Sequence, residues 1–213
     1  MTHVVNVGLI GLGTVGAGVA RSLLEKGHLL QQRLGARVVL KRVCDRTFKH
    51  RRTIRLPASC LTRDPKTIFR DPEIDIVVEL IGGIQPAKAY VLEALKHGKH
   101  VVTANKALLA EAGDEVFAAA DRAGADLYFE ASVGGGIPII KALREGLVAN
   151  NLNTILGIVN GTSNYILTQM REQQLSFHEA LAEAKQHGYA ERNPSLDVGG
   201  YDAAHKLAIL ALL

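Results

Sequence analysis

Two groups of residues in this chain have types and spacings that suit chemistry. The first is Gly11-Leu12-Gly13-Thr14-Val15-Gly16, a G-x-G-x-x-G between an apolar run and a helical pattern. There the first glycine permits a tight turn, the second lets a pyrophosphate approach the backbone, and the third lets helix and strand pack closely. The helix N-terminus then offers N–H groups and partial positive charge to the phosphates. The second group is Glu191, Asp197, Asp202 and Lys206. If a helix begins near Asp202, that residue and Lys206 stand at i and i+4 on one face. Hydride transfer to a carbonyl leaves an alkoxide that needs a proton, and the reverse oxidation needs one removed; a partly desolvated lysine can do either. Several acids around one lysine also suit a substrate carrying an ammonium group. The same spacing allows Asp202 as a helix cap, Lys206 as its surface partner, and Glu191 and Asp197 as solvated loop residues.

These groups need elements to hold them. Residues 4–10 make the short apolar run of a strand buried on both faces of a parallel sheet. Residues 15–26 carry Val15, Val19 and Leu23 at helical spacing, with Gly27 expected as the C-cap. Strands are expected over 36–44, 74–81, 101–103 and 127–131, with helices over 86–97 and 108–122 between them. This alternation predicts an α/β fold: a Rossmann-type, doubly wound parallel sheet occupying residues 1–150. After Gly134-Gly135-Gly136 the texture changes. A strand is expected over 152–159, then a turn at Asn160-Gly161 and helices over 163–173 and 177–187. Ser176 and Glu179 form the S-x-x-E capping box of the second of these, and Gly188 ends it. A polar loop leads to a last helix from Asp202. Residues 151–213 thus read as the start of a second, α+β domain. Leu207–Leu213 is an unbroken apolar run, expected to be covered by further chain.

Composition narrows the function classes. With 213 residues, 47% hydrophobic and 22% charged, the chain is ordinary for a soluble α/β protein. No apolar stretch nears the roughly 20 residues a bilayer requires, and the N-terminus has no signal-peptide layout. Cys44 and Cys60 make no disulfide framework and lack metal-ligand spacing, which fits a reducing cytoplasm. The net charge of +4 is concentrated: residues 41–55 hold seven Lys/Arg and one acid, leaving −2 for the rest. A single cluster without interleaved aromatics suits one phosphate group, or a solvated loop, better than a polyanion track, so no nucleic-acid partner is expected. Cofactor choice stays open. An acid at the end of the second strand suits the ribose 2′-hydroxyl of NAD, whereas arginine suits the 2′-phosphate of NADP; Asp45 and Arg46 offer both. The basic surroundings tilt the reading to NADP, with NAD possible.

Four separated stretches resemble the homoserine dehydrogenases: residues 78–83 (VELIGG), 100–109 (HVVTANKALL), 160–165 (NGTSNY) and 184–206, from Ala184 through Glu191, Asp197 and Asp202 to Lys206. The resemblance runs through the whole chain in order. It implies a reversible, nicotinamide-dependent hydride transfer between L-homoserine and L-aspartate 4-semialdehyde. Lys206 would then be the general acid/base, with Asp202 and Lys106 also catalytic. Glu191, Asp197 and Asp202 would hold the substrate. Gly11, Gly13, Thr14, Val15, Gly16, Arg46, Lys106 and Gly188 would meet the cofactor. It also implies a monovalent cation, sodium, on the main-chain carbonyls of Glu130, Val133, Gly135 and Ile137, although a glycine-rich hinge explains that segment equally. Residues 151–213 would begin the substrate and dimerisation domain of a cytoplasmic dimer. Family members are about twice as long, so the alternative is a truncated, catalytically silent dinucleotide-binding fragment.

Overall fold

The apolar runs of the first half pair into one parallel sheet in a computed structural model that describes residues 2–48 and 54–213. The strands are β1 (His3–Ile10), β2 (Ala36–Cys44), β3 (Leu61–Thr62), β4 (Ile76–Glu79), β5 (His100–Thr103) and β6 (Leu127–Tyr128). Their order is β3-β2-β1-β4-β5-β6, and every neighbouring pair is parallel. The chain enters at the centre, works outward to β3, and returns to lay β4 on the other side of β1. That reversal opens a crevice at the carboxyl ends of β1 and β4, where open α/β sheets bind ligands. The expected Rossmann-type fold is therefore present.

Helices α1 (Thr14–Glu25), α2 (Gly27–Leu34), α3 (Lys66–Phe69), α4 (Ala87–Lys96) and α5 (Lys106–Ala123) complete this layer. The small residues Ala17 and Ala20 of α1 are buried in one core with Leu9 of β1 and Val43 of β2, so that helix and sheet approach closely. Lys99, 7% exposed, donates from its amine to the main-chain carbonyl of Asp71 at 2.7 Å.

Two expectations need correction, and one strand lies outside the sequence reading. Gly27 does not cap α1; it opens α2, and the left-handed glycine that ends this helical pair is Gly35. The Leu29–Leu30–Leu34 pattern continues helical spacing past the glycine, which on its own costs a helix only about 1 kcal/mol. The two-residue β3 was too short to leave a periodic signal. Residues 152–159 form no strand, because a strand needs a hydrogen-bonded neighbour and none pairs with it among the described residues.

The chain divides into two compact units, Met1–Gly135 and Gly136–Leu213. The division expected after residue 150 lies later than the change of sequence texture at Gly134–Gly136; by packing, residues 136–150 go with the second unit. That unit contains α6 (Ile139–Lys141), a π-helical turn over Ala142–Gly146, α7 (Gly161–Glu172), α8 (Phe177–Gln186), α9 (Ser195–Val198) and α10 (Tyr201–Ala211). Ala180 and Ala184 of α8 pack on Ile166 of α7 in a small core of their own. The Ser176–Glu179 capping box forms as the sequence indicates, and Gly188 takes a left-handed φ of 77°.

Candidate functional site

The residues singled out in the sequence line two concave sites, one in each unit. In the nucleotide unit, a cleft of about 420 Å³ is lined by Gly11, Gly13, Asp45, Arg46, Thr47 and Arg63, among others. Gly11 has φ of 99°, and a side chain there would run into the backbone of Leu80, 2.7 Å from its carbonyl oxygen. A Cβ on Gly16 would stand 2.0 Å from the carbonyl oxygen of Gly11. These two glycines are thus fixed by internal packing. Gly13 is not: among the described residues, its chain neighbours aside, nothing lies within 4 Å of where its Cβ would be, so its missing side chain leaves open space in front of the turn. That is the cradle a pyrophosphate needs. Gly13 is also the N-cap of α1 and supplies no side-chain cap, which leaves the first helical N–H groups to a ligand; Thr14 and Val15 open the helix beside it, exposed.

Asp45 directly follows β2, and α2 accounts for its long spacing from the glycines. Its carboxylate accepts from the N–H of Leu12 at 2.8 Å, of Thr47 at 2.8 Å and of Phe48 at 2.7 Å. Burial alone would raise its pKa, but these bonds outweigh it and hold the carboxyl below the ordinary value. Asp45 therefore latches the glycine turn to the chain after β2. Arg46 is exposed on the cleft rim, joined there by Arg63 just after β3. Sequence reasoning missed Arg63 because β3 went unrecognised. The rest of the basic cluster divides: Lys41 is paired with Asp71 at 2.9 Å, Arg42 lies 3.9 Å from the same carboxylate, and Lys49, Arg51 and Arg52 fall outside the described residues.

A fully buried acid stands at the end of β4. Glu79 Oε1 accepts from the N–H of Ile81 at 2.8 Å, and Oε2 accepts from the Thr103 hydroxyl at 2.7 Å. Thr103 Oγ1 accepts in turn from Asn105 N, whose side chain donates to Gly83 O at 2.6 Å and caps α5 through Leu108 N. The network ties the Gly82–Gly83 turn to the start of α5, where Lys106 sits half-buried. An acid inside an apolar strand run was the available sequence signal.

In the second unit a cavity of about 660 Å³ is lined by Asn160, Thr162, Gly188, Asp197, Asp202 and Lys206, with Tyr165 and Tyr189 stacked at its side. The Asp202 carboxylate is buried in the first turn of α10 and Lys206 follows one turn later. Lys206 Nζ donates to Asp202 Oδ2 at 2.7 Å and to the Val159 carbonyl at 2.6 Å. With side-chain exposures of 19% and 7%, this pair is not the solvated surface contact that spacing alone allowed. Asn160 Nδ2 donates to both Asp197 Oδ1 and Asp202 Oδ2 at 2.8 Å. The structure thus gathers Asp197, Asp202, Lys206 and Gly188, and adds Asn160, which sat in a recognised stretch without a role. Glu191 lies exposed on the loop after α8 and does not line this cavity. Glu130, Val133 and Gly135 lie at the end of the first unit, where residues 133–136 join neither helix nor strand and Gly134 and Gly135 both have positive φ; Ile137 begins in the second unit and is 65% exposed.

Comparisons with known proteins match both units. The family model for the homoserine dehydrogenase NAD-binding domain matches residues 11–130, and that for homoserine dehydrogenase itself matches residues 138–213. A homoserine dehydrogenase of Neisseria gonorrhoeae is 48% identical over 209 residues, covering 98% of this chain and 48% of its own length. That of Bacillus subtilis is 46% identical with the same coverage. The chain thus spans about half the length of the curated relatives it matches. Among solved structures, a homoserine dehydrogenase from Thiobacillus denitrificans superposes with a TM-score of 0.89 at 48% identity, over 99% of this chain and 49% of that one. A hyperthermophilic archaeal homoserine dehydrogenase in complex with NADPH superposes with a TM-score of 0.82 at 28% identity, over 97% and 68%.

Proposed function

Because the chain belongs to the homoserine dehydrogenase family of oxidoreductases, we propose that it carries the cofactor cradle and the proton-transfer group of a reversible oxidation of L-homoserine to L-aspartate 4-semialdehyde, a step of amino-acid biosynthesis. The observation that carries this reading is Lys206, drawn into a cavity by one buried carboxylate and one main-chain carbonyl. A nicotinamide dinucleotide, when bound, supplies or accepts the hydride. Gly11, Gly13, Gly16 and the first turn of α1 (Thr14, Val15) take its pyrophosphate. Arg46, with Arg63, favours a 2′-phosphate and hence NADP over NAD, since both guanidinium groups line the cleft and Asp45 already accepts from three backbone N–H groups. The NADPH complex of the archaeal relative supports that class of ligand. Lys106, at the start of α5, and Gly188 are further cofactor contacts.

In the oxidation direction Lys206 takes the hydroxyl proton as hydride leaves C4; in reduction it returns that proton to the nascent alkoxide. Asp202 holds the lysine, and Asp197 and Glu191 are the anionic partners for the substrate ammonium. The main-chain carbonyls of Glu130, Val133, Gly135 and Ile137 are proposed to hold sodium, a hard cation suited to such donors. Dimerisation belongs to the same reading, supported by exposed Leu156 and Ile158 in the second unit, and a cytoplasmic location is proposed with it.

A second reading is favoured by the half-length match and by the unpaired apolar segment 152–159: a dinucleotide-binding fragment that turns over nothing alone. Homoserine-dependent reduction of NADP and of NAD at alkaline pH, read beside NADPH binding by fluorescence, separates the two. Turnover with preference for NADP is the expected result. Binding without turnover assigns the fragment, and neither would remove the proposal.

A further inference from the structure

Asn160 is 8% exposed, and its carboxamide is fully engaged. The oxygen accepts from the N–H of Ser163 at 2.7 Å and caps α7. The nitrogen has two N–H groups. One donates to Asp197 Oδ1 and the other to Asp202 Oδ2, each at 2.8 Å. The residue before it gives its carbonyl to Lys206 at 2.6 Å. Asp202 Oδ2 therefore receives two donors, the Asn160 amide and the Lys206 ammonium. Two carboxylates that repel one another are held on either side of one amide, in register with the lysine.

Helix capping does not explain this choice of residue. Aspartate and serine cap about as well as asparagine. Asparagine alone among good caps accepts once and donates twice. We propose that Asn160 is a positioning residue for the acid–base pair: its amide takes up part of the negative charge of Asp197 and Asp202, so that Lys206 is aligned by Asp202 without being held as the sole counter-charge of both acids. This inference rests on the reading of Lys206 as the proton-transfer group.

Asn160→Asp tests it, since aspartate keeps the cap but replaces both donors with an acceptor and adds a third carboxylate. The added negative charge beside Lys206 then makes its amine less reactive toward acylation. Competitive labelling of Lys206 with an amine-selective acylating reagent across pH, read by mass spectrometry, needs no turnover. The expected result is labelling about threefold or more slower than in the unsubstituted chain near neutral pH, with helical content retained. Where homoserine oxidation is measurable, the acidic limb of the kcat profile moves to higher pH while KM changes less. Asn160→Ser, which caps α7 but lacks a second donor, gives the same direction with smaller amplitude and carries the test should the aspartate variant not fold. Folded variants with unchanged Lys206 labelling reduce Asn160 to a helix cap and overturn the proposal. Loss of turnover in the unsubstituted chain strikes at the proposed function instead, and leaves the labelling result to judge Asn160.

Discussion

The two units build their sites from different materials. In the nucleotide unit the working surface is backbone: a glycine turn, exposed helix N–H groups, and one carboxylate latching the turn through the Leu12 N–H. In the second unit it is side chain: Lys206, Asp202, Asp197 and Asn160, cross-bonded over more than forty positions of sequence. A backbone site fails when a side chain is added. A side-chain site fails when one is taken away. The difference predicts which substitutions each unit will not bear.

The largest effect is expected from Lys206→Ala. Loss of a positioned proton-transfer group costs about 10²–10⁴-fold in turnover. Because the hydrogen bonds of Lys206 among the described residues go to Val159 and Asp202, outside the glycine turn, NADPH affinity should stay within a few-fold of the parent, about 1 kcal/mol or less. Fluorescence titration beside the rate assay checks both; a parallel loss of binding would blur the contrast between the units.

Gly16→Ala and Gly13→Ala sharpen it from the other side. A methyl at Gly16 must displace the Gly11 carbonyl, so this variant should lose about 1–3 kcal/mol of stability with its dinucleotide binding. A methyl at Gly13 meets nothing within 4 Å, so that variant should melt with the parent yet bind NADPH about tenfold more weakly. Equal melting temperatures for the two alanine variants would show that the turn relaxes more freely than its packing indicates.

Asp45→Asn gives a smaller, pH-dependent effect. The native carboxyl titrates below its ordinary value: burial pushes it up, and the N–H groups of Leu12, Phe48 and Thr47 more than reverse that. A depressed folded-state pKa contributes stability above the unfolded value of about 3.9 and loses it as pH falls through the folded one. The melting temperature of the parent should exceed that of Asp45→Asn at pH 7 and converge with it below about pH 4. A gap that persists in acid would assign the latch to shape rather than charge. The smallest effect is expected at Cys44, whose thiol is pushed up to about 11 by burial and by Asp45 and Asp64. It should resist thiol reagents at pH 8 until the chain unfolds; rapid labelling of the folded chain at Cys44 would overturn this.

The same contrast explains what could be read from sequence. Glycines with obligatory conformations and short buried strands mark a backbone site locally, so the Rossmann-type sheet and its phosphate turn were legible residue by residue. Lys206 and its acids were legible only by resemblance, since an i,i+4 pair at a helix start also describes a solvated surface. Arg63 depends on a two-residue strand too short to carry a period. Asn160 looked like a turn residue, because its two carboxylate partners lie 37 and 42 positions away and no local pattern reports that distance. The strand expected over 152–159 illustrates the converse: β-branched sequence states a preference, and a partner decides whether it is met.

The seat of Lys206 has a consequence for reversibility. A protonated lysine carries three N–H bonds and a neutral one carries two with a lone pair. Two acceptors, the Val159 carbonyl and Asp202 Oδ2, suffice to orient the amine in either state. The remaining direction holds a proton in one state and an electron pair in the other. On the proposed function, the group that donates and the group that abstracts would then be the same atom in the same place, with no rearrangement of its neighbours needed between the two directions. Which way the chemistry runs is left to the concentrations of the reactants.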